Sequence, residues 1–514
     1  MKPKANRTVN SARNGFFGIL NKLVIMIFPF IIRTIIIYTL GTEYLGLSSL
    51  FTSILSILSL TELGFGSAMV FNLYKPISDN DENLICALLN LYRKIYRYIG
   101  LIILVIGISI IPFLENLIYG TYPQDINIYI LYCIYLLNTV SSYFFFSYRK
   151  ALLNAYQRAD VVSNVSSIVH LLFYCIQIFV LLYTKNYYLY IIWLPIATLL
   201  DNLMVYFRSK KLYKNISCVG ELDKCIKKSI FKRTGALFGH NLGAVLIASL
   251  DNIVISAFLG LTTLGIYNNY YLVIITLNGF IDILASALLY SIGDFLVNKN
   301  KEEKYKLFLN LTFINVSIVS FCTCCLLSLY QDFMYVWVGE ENTIQSFLTI
   351  VLFVVYFFSW KCRITGLNFK DAAGMWGNDA LKPYVGIIFN VAMDIILVQI
   401  IGINGVLIST IFVMVFIYFP WETHVLFNEL FETNGKYYLL KMLLYIVVTL
   451  VITSLAYFVN SFILLDNIGG LFIKLLICIC FFAIIWIAIF LKTKEFKYAI
   501  NKIMMLINRR KNND

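Results

Sequence analysis

Apolar stretches of 18 residues or more recur along this chain from one end to the other. A helix needs about 20 such residues to cross ~30 Å of hydrocarbon. Only helices and closed barrels can cross, because each backbone polar group must be satisfied inside the protein. Fourteen spans can be marked, at 16–40, 44–71, 95–114, 126–146, 163–184, 187–207, 234–260, 265–292, 307–330, 344–366, 383–401, 403–421, 437–459 and 468–491. Charged residues make up 13% of the chain, against about 25% in soluble domains, and no stretch is long and polar enough for a separate soluble domain. The fold class expected is an all-α polytopic membrane protein. The first run contains Arg33 and is followed by no small-residue cleavage site, so it reads as a transmembrane helix and not as a signal peptide.

The basic residues orient these spans. Of 41 Lys and Arg, all but Lys22, Arg33, Arg97, Lys185 and Lys474 fall in the termini and in every second connection. That asymmetry is the positive-inside pattern, and it places both termini in the cytoplasm. The net charge of +13 is thereby mostly orientation charge and not a nucleic-acid footprint. Tyr183, Tyr187, Tyr188 and Trp337 lie in the short outer connections, as an interfacial aromatic belt would. The tail KTKEFKYAINKIMMLINRRK places Phe496, Ile500, Ile503, Met504 and Ile507 on one helical face and basic residues on the other, a pattern suited to lying on an anionic membrane surface.

An internal repeat is also legible. LGTEYLGL at 40–47 and LGLTTLGI at 259–266 share the pattern L-G-x-x-x-L-G at an outer turn. At that offset Arg33 aligns with Asn252, beside Asp251, and Lys22 with Asn241, beside His240; Glu62 falls one residue short of Asp282. Six spans per unit is an even number, so the two lobes share one orientation, a parallel repeat of the kind that frames a transport path. The organisation expected is a cytoplasmic segment 1–14, an N-lobe 15–207 with spans 1–6, a linker 208–233, a C-lobe 234–421 with spans 7–12, spans 13 and 14 as an appendage in 422–491, and a basic amphipathic tail 492–514.

Ionisable residues inside the spans are the candidates for function, since each costs several kcal/mol in hydrocarbon unless it meets protein, water or a counter-charge. Lys22 and Arg33 are eleven residues apart, which returns them to one face of the first helix about 16 Å apart along its axis, with Pro29 between them as an expected kink. Two cations on one face look like successive stations for an anion. Glu62 lies at a depth similar to that of Lys22 and either pairs with it or binds a proton or sodium ion. A buried pair can equally be a fixture of packing. Asp251, Asp282 and His240 complete the ion-coupling or charge-pairing candidates, while Arg149, Lys150, Lys361 and Arg363 sit at inner helix ends. The chain contains no G-x-x-x-x-G-K-[ST] loop for ATP and no His/Cys cluster with metal spacing; its eleven cysteines, scattered through apolar runs, read as packing. It reads as a carrier and not as a catalyst, with no cofactor expected.

RTIIIYTLGTEYLGLSSLFTSILSILSLTELGFGSAMVFNLYKPI at 33–77 resembles the bacterial polysaccharide flippases of the Wzx type, which share a superfamily with the MATE exporters. KDAAGMWGNDALKPYVGIIFNVAMDIILVQIIGINGVLIST at 370–410 and SYRKALLNAYQRAD at 147–160 extend the likeness. The resemblance implies two six-helix lobes around a central cavity plus two further helices, in a bacterial inner membrane. The implied substrate is an undecaprenyl-pyrophosphate-linked oligosaccharide, flipped outward by alternating access with H+ or Na+ as possible coupling ion. Membrane lipids, a polysaccharide polymerase and chain-length proteins are the implied partners. The family's cationic cavity residues correspond to Lys22 and Arg33, with Arg149 and Arg363 as further cations. Two other classes stay open. One is a MATE-type cation antiporter, which would want an acidic binding site. The other is a membrane glycosyltransferase or polymerase, which would want a large external loop.

Overall fold

The computed structural model describes residues 7–62, 65–375, 377–463 and 467–511. All secondary structure among them is helical. Among the described residues ten helices are long and apolar enough to cross a membrane, or eleven if the pair Ile128–Phe144 and Tyr148–Ala155, bent by 47°, is one span; Thr42–Leu58 and Val245–Leu259 are shorter apolar helices. The polytopic class is therefore observed, and fourteen is not the number that length and apolarity return.

The chain divides into two units, Met1–Gly265 and Ile266–Asp514. The first holds α1 (Arg7–Thr39), α2 (Thr42–Leu58), α3 (Phe65–Asp79), α4 (Glu82–Ile110), α5 (Ile128–Phe144), α6 (Tyr148–Ala155), α7 (Ala159–Thr184), α8 (Tyr187–Ile191), α9 (Trp193–Leu212) and α10 (Lys224–Leu259). Asp81, Asn127 and Asn186 cap the starts of α4, α5 and α8 by accepting backbone N–H groups of Leu84, of Tyr129 and Ile130, and of Leu189. α1 packs along α7, α5 along α9, and α10 against α2 and α3. α1 runs unbroken through Pro29.

The single span expected at 44–71 is in fact broken. α2 ends at Leu58, a 3-10 turn covers Ser59–Glu62, and α3 starts at Phe65. The break falls on TELGFG, where two glycines within three residues weaken helix formation and a carboxylate has reason to leave the hydrocarbon.

The two repeat turns meet each other inside the first unit. Gly41 and Gly260 both have positive φ, 113° and 86°, and each stops one helix immediately before the next begins. A Cβ on Gly46 would overlap the backbone carbonyl of Leu261, and one on Gly265 would overlap that of Thr42. Thr262 donates to Glu43, its own counterpart 219 residues away, at 3.4 Å. The same offset separates Gly46 from Gly265 and Thr42 from Leu261, so the contact is reciprocal, as a local two-fold relation requires.

The second unit continues α11 (Leu261–Asn298) and adds α12 (Lys301–Val338), α13 (Phe347–Lys361), α14 (Ile364–Ala372), α15 (Lys382–Ile401), α16 (Ile403–Phe412), α17 (Phe419–Val425), α18 (Lys436–Asn460), α19 (Ile468–Phe490) and α20 (Lys494–Lys511). α12 is its mast, packed by α13, α18, α19 and α20. Aromatic rings fill the joint: Phe308, Phe313, Tyr438, Tyr445, Trp486 and Phe490 are buried together. Trp486 Nε1 donates to Ser317 Oγ at 3.1 Å, and Lys474 reaches Asp332 at 2.5 Å. α18 and α19 are thus built into this unit's core. The basic tail is a helix, and its first turn is fastened by Glu495 to Lys441 and by Phe496 packing on Phe313.

Candidate functional site

The rotation of α1 is set by α7. Ser167 Oγ donates to Asn21 Oδ1 at 3.2 Å, and Phe28 stacks on Tyr174 with ring centroids 5.2 Å apart. One residue further is a turn of ~100°, and there Lys22 is exposed. Eleven residues on, Arg33 shares that face but is half-buried. Its electrostatic neighbours are Tyr135, Tyr187 and Tyr190. These tyrosines form a bonded cluster. The Tyr135 and Tyr187 hydroxyls lie 3.1 Å apart, Tyr187 donates to the Tyr44 carbonyl at 3.3 Å, and Tyr44 donates to Asp125 at 2.6 Å. A guanidinium among phenol rings is stabilised through their faces and oxygens. Tyr187, assigned from sequence to the interfacial belt, is 1% exposed: hydrogen bonding into this cluster draws it inward, while Tyr183 remains at the surface.

The other candidates fall elsewhere. Arg149 is 4% exposed, at the start of α6. Its Nη2 donates to the Ile216 carbonyl at 3.1 Å, its guanidinium lies 5.9 and 5.6 Å from the Tyr148 and Tyr206 rings, and its Nε and Nη1 find no acceptor. Lys150 pairs with Asp201 at 2.6 Å. Asp251 is buried on α10, and its neighbour Asn252 donates to Ser53 on α2 at 2.9 Å. The backbones of Glu62 and His240 are helical, but their side chains, and with them the expected Lys22–Glu62 pair, lie outside the described residues.

In the second unit, Asp282 on α11 takes Lys361 at 2.6 Å, the lysine being 2% exposed. Arg363 grips Glu422 with two bonds, 2.5 and 3.0 Å. Lys382 bridges Glu422 at 2.7 Å and Asp379 at 2.8 Å, and Lys370 also meets Asp379. The face of Tyr418 lies 5.1 Å from Arg363 and 5.5 Å from Lys382. Burial alone would raise the Asp379 carboxyl, but Lys382 and Lys370 outweigh it and hold the group below its ordinary range. Sequence reasoning missed Glu422, whose partners Arg363 and Lys382 lie 59 and 40 residues away, and it passed over Asp379 and Lys382 as part of a polar connection. It also missed the Tyr135–Tyr187–Tyr190 cluster, whose one signal is the dense NYYLY at 186–190. Among the described residues no three His, Cys, Asp or Glu side chains gather as a metal site would need.

The geometry has known counterparts. The chain resembles the lipid II flippase MurJ in an inward closed conformation, with a TM-score of 0.62, 16% identity, and coverage of 94% of this chain and 99% of that one. An inward-facing MATE multidrug resistance transporter of the MOP superfamily matches with a TM-score of 0.58, 14% identity, and coverage of 77% and 94%. A mutant of the Vibrio cholerae MATE transporter VcmN matches with a TM-score of 0.57, 11% identity, and coverage of 83% and 100%. At these identities the likeness is one of fold. No curated protein sequence matches. A family model described as "Polysaccharide biosynthesis protein" matches residues 11–290, more than half of the chain. The chain therefore belongs to that family of polysaccharide biosynthesis proteins and shares the fold of the MurJ and MATE structures.

Proposed function

We propose that this chain flips an undecaprenyl-pyrophosphate-linked oligosaccharide from the inner to the outer leaflet of a bacterial cell membrane, with both termini cytoplasmic. Alternating access exposes one face of α1 first to one side of the membrane and then to the other. The observation that carries the reading is that face, with Lys22 open and Arg33 half-buried among tyrosines, about 16 Å apart along the axis. A pyrophosphate brings about two negative charges, and charged groups cost several kcal/mol each in hydrocarbon. Lys22 meets the pyrophosphate first and Arg33 receives it further up, while the lipid tail stays in the bilayer. Exit of an anion from a negative interior is downhill by ~2.3 kcal/mol per charge per 100 mV. We assign H+ or Na+ coupling of the return step to Glu62, Asp251 or Asp282, the last of which pairs with Lys361 in this structure. The family match and the MurJ-like fold support a lipid-linked cargo.

The competing reading, a MATE-type cation exporter, is favoured by the MATE folds among the matches, but a cationic α1 face repels its cargo. The test replaces Lys22 and Arg33 by glutamine, singly and together, in cells whose surface polysaccharide depends on this chain. The expected result is a loss of export of tenfold or more in the double variant, with lipid-linked oligosaccharide accumulating on the inner face. Normal export in K22Q/R33Q, or drug resistance on overexpression that ignores loss of the polysaccharide genes, overturns it. Collapsing the proton and sodium gradients one at a time tests the coupling step separately: flipping unchanged under both removes it.

A further inference from the structure

The first unit contains a second cationic recess, away from the α1 face. It has a volume of about 550 Å³, and its walls include Arg93 and Arg97 of α4, Val140 and Phe144 of α5, Phe145, and Tyr148 of α6. Arg93 and Arg97 are one turn apart on a single helix face, where like charges oppose each other. No carboxylate pairs with either of them among the described residues. Arg93 Nη2 donates to Asn90 Oδ1 at 2.9 Å and to the Cys218 carbonyl at 3.3 Å, but its Nε is buried with no acceptor. The buried Arg149, whose guanidinium lies 5.9 Å from the ring of the wall residue Tyr148, has two more N–H groups with no acceptor. A buried charged donor left unpaired costs on the order of 1–3 kcal/mol or more, and three such atoms in one neighbourhood call for an anion. The backbone at the rim is also strained. Phe146, a bulky residue, is held at φ 59° where α5 bends by 47° into α6, and it stacks on Tyr206 with centroids 4.1 Å apart.

Depth and walls identify the anion. The span containing α4 runs from Glu82 to Phe113. About 20 residues suffice for the hydrocarbon, and counting them back from Phe113 reaches position 94, between the two arginines. The recess therefore opens at headgroup level, on the end where the chain's basic connections gather. Beyond it, Tyr98, Leu101 and Leu137 are half or more exposed, an apolar flank of the kind that faces acyl chains. Phosphate-level cations above an apolar flank fit a phosphate ester that carries acyl chains.

We propose that the Arg93–Arg97 recess binds the phosphate of an anionic membrane phospholipid from the leaflet on the basic side, with its acyl chains running along α4 and α5. This is independent of the flippase reading, since neither arginine belongs to the α1 face. Through Arg93, Asn90 and Arg149 the same neighbourhood grips the 213–223 segment, at the carbonyls of Cys218, Gly220 and Ile216. An occupied site would therefore brace the connection leading into α10.

The test uses the full chain, delipidated in detergent, and native mass spectrometry with dioctanoyl phosphatidylglycerol. One saturable adduct is expected, weakened at least tenfold in R93Q/R97Q and unchanged in K304Q, a basic-side control in the second unit. Uncharged dioctanoylglycerol should bind at least tenfold more weakly, and equimolar inorganic phosphate should not displace the lipid. If R93Q/R97Q does not fold, R93K/R97K takes its place, with a weakening of threefold or more expected because lysine lacks the guanidinium fork. Equal binding by the variant, equal binding of dioctanoylglycerol, displacement by inorganic phosphate, or no saturable adduct each overturns the proposal.

Discussion

The two units treat buried positive charge in opposite ways. In the second, each cation singled out from the sequence meets a carboxylate: Lys361 has Asp282, Lys474 has Asp332 and Arg363 has Glu422, while Lys382 and Lys370, which the sequence did not single out, share Glu422 and Asp379. In the first, Lys150 has Asp201, but Arg33 stands among tyrosines, Lys22 is exposed, and Arg149 keeps two buried N–H groups unmatched. A neutralised cation holds helices together but cannot attract a substrate, because an anion would have to displace a partner already in place. A buried cation with N–H groups left unmatched, as at Arg149, costs stability. On the function proposed above, the second unit is the staple and the first the receptor. The offset that aligns Arg33 with Asn252 already shows that the lobes are not equivalent in charge.

The largest expected effect tests the staple. Glu422 is 4% exposed and neutralises two buried cations, so Glu422→Gln should destabilise the protein by about 3–5 kcal/mol, as removal of one partner of a buried pair does. Unfolding in detergent, followed by the near-ultraviolet signal of the aromatic core, reads this directly. Next comes the repeat contact. Gly46→Ala and Gly265→Ala each push a methyl into the opposite backbone, a cost of about 1–3 kcal/mol. Because the contact is reciprocal, the two losses should be similar, and the double variant should cost less than their sum. Strict additivity in the double variant would show that the two glycines do not share one contact. Third, Lys22→Gln should move stability by no more than about 0.5 kcal/mol, as exposed substitutions usually do, while reducing flipping. A Lys22→Gln loss as large as that of Glu422→Gln would break the division into staple and receptor.

What was readable in the chain follows the range of the physics. Span periodicity and the Gly46/Gly265 repeat are local or pairwise patterns, and they hold in the structure as helices and a reciprocal contact. Arg33 could be recognised as a functional candidate because an intramembrane cation is costly wherever it points. Its surroundings could not, since Tyr135 and Tyr187 reach it from α5 and α8 only after those helices dock. The break at Ser59–Glu62 was hinted at by Glu62, Gly64 and Gly66, but apolar content along 44–71 outvoted them. Arg363 was taken as a cation for substrate, and its bond to a carboxylate 59 residues on is set by tertiary packing alone. The Glu422 end of that bond sat in what was expected to be a connection, where a charge needs no partner.

The smallest effect is a pH dependence, and its sign distinguishes a staple from a switch. Asp379 is held below its ordinary range by Lys382 and Lys370 against the opposing effect of burial. A carboxyl whose folded pKa is depressed contributes stability that is complete above its unfolded value, about 3.9, and is lost as pH falls through the folded value. The stability difference between the native chain and Asp379→Asn should therefore be flat from pH 8 to pH 5 and narrow only below about pH 4. A difference already shrinking near pH 6 would mean that Asp379 takes up a proton in the working range, and the second unit would then hold a titratable element of its own. A flat profile there keeps Asp379 out of proton-linked behaviour and leaves Glu62, Asp251 and Asp282 as the groups to replace, and Glu62→Gln, Asp251→Asn or Asp282→Asn should then shift the pH profile of flipping.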